Sequence, residues 1–519
     1  ALLGLEDDNC FVKEIVPGGP VDLGKQVRPG DKIISVAQEG KEPVEVVGMK
    51  LRKIVEMIRG QKGTKVQLVI QPADATDPST RKTVTIVRDV VKLNAQRAHA
   101  AVFQVPGADG VSVPLGVITL PAFYGPADSD DTSAEKTSAS KDVARLIGQL
   151  QAAGIKGLVL DLRHNGGGYL SEAVDLAGLF IKRGPVVQVK NYAGEIQVDS
   201  YPQPPAGGAM SQFVNSIKAA AGTKGTESAD GVTYDGPLAV LVDRFSASAS
   251  EIVTGALQNY GRAIVIGDSS THGKGTVQTI AEMKNLAPVF ARSPEKTGAT
   301  KFTVQKYYLP NGSSTQLKGV VPDIVLPSID DYLPIGESDL PHALVWDEIP
   351  SSTFEGGPLP AQTLKSLRDA SVARQGKLEE FIYLRKNVDW FKQRQNQKLV
   401  ALNLEERRKQ KEADDAFRKQ MKAEKEQLAK SDFVYKDYRL GPPPPPKQKA
   451  PKKADKLDAT DPDADDDAEL STDDESYAKV DVPLRESLRV VNDAVEQGKN
   501  RQYWVSDHAP LTGYAERKG

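Results

Sequence analysis

The sequence predicts a multidomain protein of mixed α+β and α/β class: a β-rich module, an α/β core with parallel strands and a charged helical C-terminal region. Residues 1–90 carry short strands and Pro- and Gly-rich turns, whereas residues 91–335 alternate apolar strands with helices. Residues from about 362 to 430 are rich in Lys, Glu, Gln and Ala at helical spacing. At 519 residues, the chain is also too long for one hydrophobic core.

The N-terminal module is predicted to be a small sheet with one helix. Residues 17–20, Pro-Gly-Gly-Pro, are a turn signal, and apolar residues at helical spacing predict a helix over residues 49–58. Strands are predicted at residues 10–16, 32–36, 65–71 and 82–88.

The central block has the pattern of a parallel sheet covered on both faces. Its strands are continuous apolar runs, which are typical of strands buried on both sides, and helices separate them. Helices are predicted at residues 140–153 and 249–260. The predicted strands are residues 115–120, 157–161, 238–242 and 263–267.

The C-terminal third changes composition. A helical region over residues 336–440 is predicted to end before five consecutive prolines, Pro442 to Pro446. Residues 441–476 turn from basic to strongly acidic with almost no aromatic residues, which predicts a disordered linker. Residues 477–519 are predicted to be a tail with one short helix over residues 482–495.

Composition excludes several classes of function. The chain has 67 basic and 70 acidic residues, so there is no general electrostatic reason to bind nucleic acid or an anionic membrane. Cys10 is the only cysteine, which excludes an intrachain disulfide and a Cys-rich metal site. No apolar run approaches the roughly 18 residues that span a bilayer. The chain begins at Ala1 without a signal-peptide pattern, and we expect it to be a fragment.

Two Gly- and Ser-rich stretches follow predicted core strands, where α/β proteins place their sites. Gly166 to Gly168 can turn sharply and offer N–H groups to an anion. In residues 244–251, a serine between strand and helix projects at the helix N-terminus, where amides can stabilise an oxyanion. Taken alone, the first stretch also fits a strained loop without a ligand, and the second fits a helix cap.

A serine nucleophile needs a base. None of the five histidines forms a recognisable Ser-His-Asp arrangement, although His164 and His272 lie in candidate loops. The other candidate is Lys274, which has a glycine on each side and can act as a base if burial lowers its pKa. Residues 267–276 contain Gly-Lys after a predicted strand but do not fit a phosphate-binding loop. That loop has four residues between its glycines and Ser or Thr after the lysine, whereas here five residues separate Gly267 from Gly273 and a glycine follows Lys274.

In combination, three motifs resemble the C-terminal processing peptidases, and among them the tail-specific type of Gram-negative bacteria. They are Asp-Leu-Arg-His-Asn-Gly-Gly-Gly at 161–168, Ser-Ala-Ser-Ala-Ser-Glu at 246–251 and Gly-Lys-Gly-Thr-Val-Gln at 273–278. Residues 306–324 also resemble that family, and we expect the match to become faint beyond about residue 430.

The resemblance implies a domain order and a set of site residues. Residues 1–90 would be a PDZ-like domain truncated at its N-terminus, residues 91–335 the serine protease core and residues 336–440 a helical C-terminal domain. The implied site comprises the nucleophile Ser248, the general base Lys274, its orienter Gln278, and the oxyanion-hole residues Gly168 and Ala249 with Gly167 shaping them.

Two details depart from the family pattern. The interval between Ser248 and Lys274 is one residue longer than expected, through an extra residue at 268–270. Asn259 stands where some family members carry an aspartate, which favours a Ser–Lys dyad over a triad.

The implied function is that of a serine endopeptidase that works through an acyl-enzyme and needs no metal or cofactor. Its substrates would be proteins with apolar C-terminal tails, captured by the PDZ-like module as an added strand. A periplasmic or cell-envelope location and a possible adaptor lipoprotein also follow from the resemblance only.

Two alternatives stay open at this point. One is a PDZ tail-binding adaptor or pseudoprotease without catalysis. The other is a partner-binding coiled coil over residues 362–430, whose apolar positions do not hold a clean heptad.

Overall fold

The structure is a computed structural model, and its described residues form two compact units. One comprises residues 1–97, and the other comprises residues 98–440 with the C-terminal helix. The predicted turn at 17–20 lies partly, and the predicted linker at 441–476 wholly, outside the described residues. The described residues are 1–6, 9–15, 19–73, 75, 77, 79–89, 97–107, 109–125, 137–202, 232–283, 298–397, 399–440 and 477–499.

The N-terminal unit consists of β1 (Leu2–Glu6), β2 (Asn9–Glu14), α1 (Pro20–Gly24), β3 (Lys32–Gln38), β4 (Val44–Glu45), α2 (Leu51–Ile58), β5 (Lys65–Gln71) and β6 (Lys82–Val87). Its antiparallel sheet has the order β1-β2-β3-β5-β6, and β4 pairs with β3. Helix α2 contacts β1 and β3 and buries Ile54 against Ile33 and Ile70. The predicted strands and helix of this module are therefore confirmed.

The second unit contains β7 (His99–Pro106), β8 (Ser112–Thr119), α3 (Ala139–Ala152), β9 (Gly157–Asp161), α4 (Leu170–Ala177), β10 (Gly184–Asn191), β11 (Ile196–Tyr201), β12 (Leu238–Val242), α5 (Ala249–Asn259), β13 (Ile264–Gly267), β14 (Thr276–Glu282), β15 (Ala299–Tyr308), β16 (Ile324–Val325), α6 (Ala361–Lys377), α7 (Glu379–Gln395), α8 (Leu404–Leu428), β17 (Tyr435–Arg439) and α9 (Val482–Lys499). Its main sheet has the order β16-β13-β12-β9-β8-β7-β17. Strands β16 to β8 in that order are parallel, as the apolar runs predicted, and β7 and β17 are antiparallel additions.

A second, antiparallel sheet was not predicted from the sequence. It has the order β11-β10-β15-β14, and β14 begins two residues after Lys274. The strand that follows the candidate base is therefore an edge strand of a separate sheet.

The last helix packs on the main sheet. Helix α9 contacts β8, β9 and β12, and a Cβ added at Gly157 would lie 2.3 Å from Val491 Cγ1. Leu158, the next residue of β9, belongs to the core on the other face, which includes α3, α4 and α5. Both faces of the sheet are thus covered, and α9 is part of the core rather than the short tail helix that we expected. Among the described residues, no helix is long and apolar enough to cross a membrane.

Candidate active site

Three loops meet at one edge of the main sheet. In the parallel register, Asp161 lies opposite Leu241, and Val242 lies opposite Gly267. Strands β9, β12 and β13 therefore end together, and the glycine, serine and lysine motifs all start at this edge. The topology brings together motifs that are more than a hundred residues apart in the chain.

The three serines of the second motif have different surroundings. Ser246 is buried and its hydroxyl donates to the Leu162 carbonyl at 2.8 Å. Ser250 is also buried and its hydroxyl donates to the Asn165 carbonyl at 2.8 Å. Ser248 is only half-buried, and its side chain makes no helix-capping hydrogen bond. The middle serine is thus the most accessible of the three.

Ser248 occupies a strained turn at the start of α5. Its φ is +59° and its ψ is −113°, a conformation that non-glycine residues rarely adopt. Two hydrogen bonds from backbone N–H groups fix this turn. The Ala247 N–H donates to the Asn165 carbonyl at 3.0 Å, and the Ser248 N–H donates to Glu251 Oε2 at 2.7 Å. The hydroxyl is consequently presented at the helix N-terminus, where amide dipoles favour negative charge.

The glycine loop fits against this turn only because it lacks side chains. A Cβ at Gly167, where φ is +100°, would lie 2.8 Å from Ser248 Cβ. A Cβ at Gly168, where φ is +150°, would lie 2.2 Å from the Phe123 carbonyl oxygen. The side chain of Asn165 joins the glycine loop to the end of β8. Its Oδ1 accepts the Gly167 N–H at 2.9 Å, and its Nδ2 donates to the Leu120 carbonyl at 2.8 Å.

Two backbone N–H groups beside Ser248 are free to bind an oxyanion. Within the described part of the chain, the N–H groups of Gly168 and Ala249 donate no hydrogen bond, whereas the Gly167 N–H is used by Asn165. Gly168 is exposed at the surface of the site. The roles implied by the resemblance, Gly168 and Ala249 as oxyanion donors and Gly167 as the residue that shapes the loop, stay predictions.

Glu251 joins the serine and lysine loops. Its carboxylate is fully buried and accepts the N–H groups of Ser248, Gly273 and Lys274 at 2.7 to 3.0 Å, and the Thr271 hydroxyl at 2.6 Å. Burial raises its pKa to about 7, against the opposing effect of these hydrogen bonds. Sequence reasoning treated Glu251 as an ordinary capping residue, because its position in the helix shows nothing of the second loop that it binds.

Two further side chains hold the lysine loop at the Lys274 carbonyl. Thr315 Oγ1 donates to that carbonyl oxygen at 3.1 Å, and the Tyr307 hydroxyl donates to it as well. The Tyr307 hydroxyl also lies 3.3 Å from the Ser248 carbonyl oxygen. Both residues lie in the stretch 306–324 that resembles the family, but the sequence analysis gave neither of them a role in the site.

The environment of Lys274 favours its neutral form. Burial lowers the pKa of its ammonium group, and the positive charge of Lys301 lowers it further, while Glu337 and Glu251 act in the opposite direction. Within the described residues, the Lys274 side chain has no hydrogen bond and no ion pair. Its backbone is fixed by Glu251, Tyr307 and Thr315.

The side chains of the other candidates make no hydrogen bond to Ser248 or Lys274 within the described residues. Gln278 is exposed on β14, and no hydrogen bond connects it to Lys274 within the described residues, so its role as orienter stays a prediction. Asn259 accepts the Asn311 N–H at 3.1 Å. His164 Nδ1 lies 3.3 Å from Asp243, and His272, whose pKa is lowered mainly by burial, lies 3.8 Å from Glu337.

Three family models match successive parts of the chain. A PDZ domain matches residues 3–71, peptidase family S41 matches residues 114–326, and the C-terminal domain of tail specific protease matches residues 331–496. The last match includes α9, so our expectation that the resemblance fades beyond about residue 430 was wrong.

Individual relatives are similar over most of the chain. The chain is 36% identical to the tail-specific protease of Haemophilus influenzae over 83% of its own length and 56% of the relative's. It is 31% identical to the carboxy-terminal-processing protease of Bartonella bacilliformis, over 65% of each. The chain therefore spans less than two-thirds of either relative. A solved PDZ domain of a carboxy-terminal protease from Vibrio cholerae, in complex with peptide, is 45% identical over 17% of this chain and 89% of that one, with a TM-score of 0.17.

Proposed function

Because the chain belongs to the tail-specific, C-terminal processing serine proteases of peptidase family S41, we propose that it is an endopeptidase with a Ser248–Lys274 dyad. One observation carries this proposal: the buried carboxylate of Glu251 accepts the backbone N–H groups of both residues. The nucleophile and the base are thereby held against one another through their main chains, beside two unused amide donors.

The reaction would proceed by acyl transfer. Neutral Lys274 takes the hydroxyl proton of Ser248, and the resulting alkoxide attacks a peptide carbonyl. The N–H groups of Gly168 and Ala249 stabilise the oxyanion, and removal of one such donor typically costs about 10² to 10³ in kcat. Lys274 then gives its proton to the leaving amine, and water hydrolyses the acyl-enzyme. General acid–base catalysis of this kind contributes roughly 10² to 10⁴ in rate.

Substrates would be selected by the PDZ domain. Strand β1 is at the edge of the N-terminal sheet and contacts α2. An extended, apolar C-terminal tail added beside β1 would continue the sheet, with its side chains against the helix. By analogy with the family, we also propose a periplasmic or cell-envelope location and delivery of some substrates by an adaptor lipoprotein.

The test is cleavage of an unfolded reporter that ends in small apolar residues, compared with the same reporter ending in charged residues. Wild-type protein is expected to cleave the apolar-tailed reporter faster. Ser248→Ala and Lys274→Ala are each expected to lower kcat by at least about 10⁴, because groups that act as a unit fail together. Melting temperatures of both variants serve as the control for folding.

The outcomes separate the proposal from the alternatives. Cleavage that survives either substitution would show that the dyad is misassigned. Tail binding without cleavage by the wild-type protein would instead support the adaptor or pseudoprotease. Deletion of residues 362–430 with unchanged cleavage and binding would exclude the helical region as the functional part.

A further inference from the structure

The third residue of the first motif, Arg163, connects the glycine loop to the far end of the chain. Its guanidinium donates to Asp161 at 2.7 to 3.2 Å and to both carboxylate oxygens of Asp481 at 2.7 and 2.9 Å. Asp481 lies 318 residues later and immediately precedes α9. Paired, two-oxygen contacts of this kind fix the direction of an arginine as well as its position.

The Arg163–Asp481 pair is shielded from solvent. Only 20% of the Arg163 side chain and 14% of the Asp481 side chain are exposed. Burial by itself would raise the pKa of Asp481, but the adjacent guanidinium outweighs it and keeps that pKa below its usual value. The pair is thus charged at neutral pH and little screened by salt.

Arg163 stands where the strained part of the loop begins. His164 has a φ of +56°, and Gly167 and Gly168 follow at +100° and +150°. Unfavourable backbone conformations persist only when surrounding contacts over-determine them. The His164 N–H is held by Asp243 at 2.9 Å. The Arg163 side chain is a further anchor, beside the hydrogen bonds of Asn165 described above. It has two carboxylate partners, and one of them, Asp481, lies in the segment before α9.

Asp481 is itself firmly placed. Its Oδ1 accepts the Leu484 N–H at 3.0 Å, so that it caps the first turn of α9. The polar face of α9 is bound to the helical region: Arg485 pairs with Glu380 at 2.5 Å, and Arg374 pairs with Asp493 at 2.7 Å. The helix therefore offers Arg163 a fixed carboxylate rather than a mobile one.

We propose that Asp481 is a positioning residue for the oxyanion hole: through Arg163, it holds residues 164–168 in the conformation that presents the Gly168 N–H. This inference rests on the proposed function. It gives the C-terminal helix a catalytic purpose beyond covering the sheet, and it makes a residue outside the S41-matched part of the chain necessary for full activity.

The test compares Asp481→Asn with Asp493→Asn in the complete protein. Each substitution removes the negative charge of an aspartate that pairs with an arginine. Asp481, just before α9, pairs with Arg163, whereas Asp493, within α9, pairs with Arg374. The rate of covalent labelling of Ser248 by a fluorophosphonate probe reports on nucleophile and oxyanion hole without tail binding. Hydrogen–deuterium exchange over residues 162–170 reports on the loop itself, and melting temperature reports on stability.

We expect Asp481→Asn to be labelled about tenfold more slowly than Asp493→Asn at a matched melting temperature, which corresponds to about 1.4 kcal/mol in the barrier. Exchange over residues 162–170 should increase in Asp481→Asn only. Labelling within twofold and equal exchange in the two variants would overturn the inference. Should Asp481→Asn not fold, Asp481→Glu, which keeps the charge but shifts the oxygens, is expected to show the same changes at smaller size.

Failure of the proposed function gives a different result. If the wild-type protein is not labelled by the probe, the Ser–Lys assignment fails, and the exchange comparison still decides whether Asp481 holds the loop.

Discussion

The loop that carries Ser248 and the loop that carries Lys274 meet at the carboxylate of Glu251, yet they are fixed by different means. The serine loop is fixed against the glycine loop: the Ala247 N–H and the Ser250 hydroxyl both donate to the Asn165 carbonyl, and Ser248 adopts a strained conformation. The lysine loop is fixed by side chains from elsewhere. Tyr307 and Thr315 bind the Lys274 carbonyl, and Gln316 Oε1 accepts the Gly275 N–H at 2.8 Å.

Because of this difference, the serine loop mainly determines the geometry of the site, and the lysine loop mainly determines the pKa of Lys274. The position of Ser248 and of the Gly168 and Ala249 N–H groups depends on a few backbone conformations that tolerate no added atoms. The pKa of Lys274, the proposed base, depends on burial and on the charges of Lys301, Glu337 and Glu251. We therefore expect backbone substitutions to abolish activity and charge substitutions to tune it.

The largest effect is expected for Gly168→Ala. The added Cβ would lie 2.2 Å from the Phe123 carbonyl oxygen at a φ of +150°, so the N–H must move away from the oxyanion. We expect kcat to fall by about 10² to 10³. Gly154→Ala is the control, because Gly154 has a φ of +80° with nothing within 4 Å and should lose stability only. Equal kcat in both variants would contradict this oxyanion-hole assignment.

The second-largest fall in kcat is expected for Glu251→Gln, which disrupts the hydrogen bonds between the serine loop and the lysine loop. Ser248 and Lys274 donate to one carboxylate oxygen and Thr271 and Gly273 to the other, so an amide NH₂ would face donors in either orientation. We expect kcat to fall about tenfold to a hundredfold and stability to fall by about 1–3 kcal/mol.

Glu172→Gln is the matched control for Glu251→Gln. Glu172 is also buried and accepts hydrogen bonds from the Ser138 hydroxyl and from Ser140. It should lose comparable stability, measured by denaturant unfolding, while kcat is retained. A Glu251→Gln enzyme as active as the Glu172→Gln enzyme would mean that joining the loops has no catalytic value.

Gln278→Ala tests the predicted orienter of Lys274, for which the described residues show no hydrogen bond to Lys274. Catalytic hydrogen bonds often tighten only when substrate is bound, so we expect Gln278 to orient Lys274 in that state and kcat to fall about tenfold with little change in KM. Thr279→Ala, the next exposed residue of β14, should change neither parameter. An unchanged kcat in Gln278→Ala would remove this residue from the site.

The smallest effects are shifts in pH dependence. Activity requires neutral Lys274, so kcat/KM should rise with pH through the lowered pKa of this residue. Lys301→Gln removes a repelling charge, which raises that pKa and moves the rise to higher pH. Glu337→Gln removes an attracting charge and moves the rise to lower pH. The shift for Lys301→Gln should be below about one pH unit because the exposed Lys301 charge is screened. The Glu337 side chain is only 13% exposed and is screened less. Shifts in the same direction would refute this electrostatic account.

Much of the fold follows from local patterns in the sequence. The bounds predicted for β9 and β12 agree with the structure, because a strand buried on both faces must be apolar at every position. These strands depend on residues that are neighbours in the chain, so periodicity is enough to find them. The roles of Ser248, Lys274 and the glycine loop came instead from the resemblance of three motifs to a known family, and they stay predictions.

Only the tertiary structure decided which polar groups are used and which are free. The sequence by itself determined a run of three serines, but burial and the carbonyls of Leu162 and Asn165 left only Ser248 available. It determined an acidic residue at position 251 and an aspartate at position 481, but not their partners. The physical reason is that the charge state and hydrogen bonds of a polar side chain depend on contacts that folding makes, and Arg163 and Asp481 are 318 residues apart.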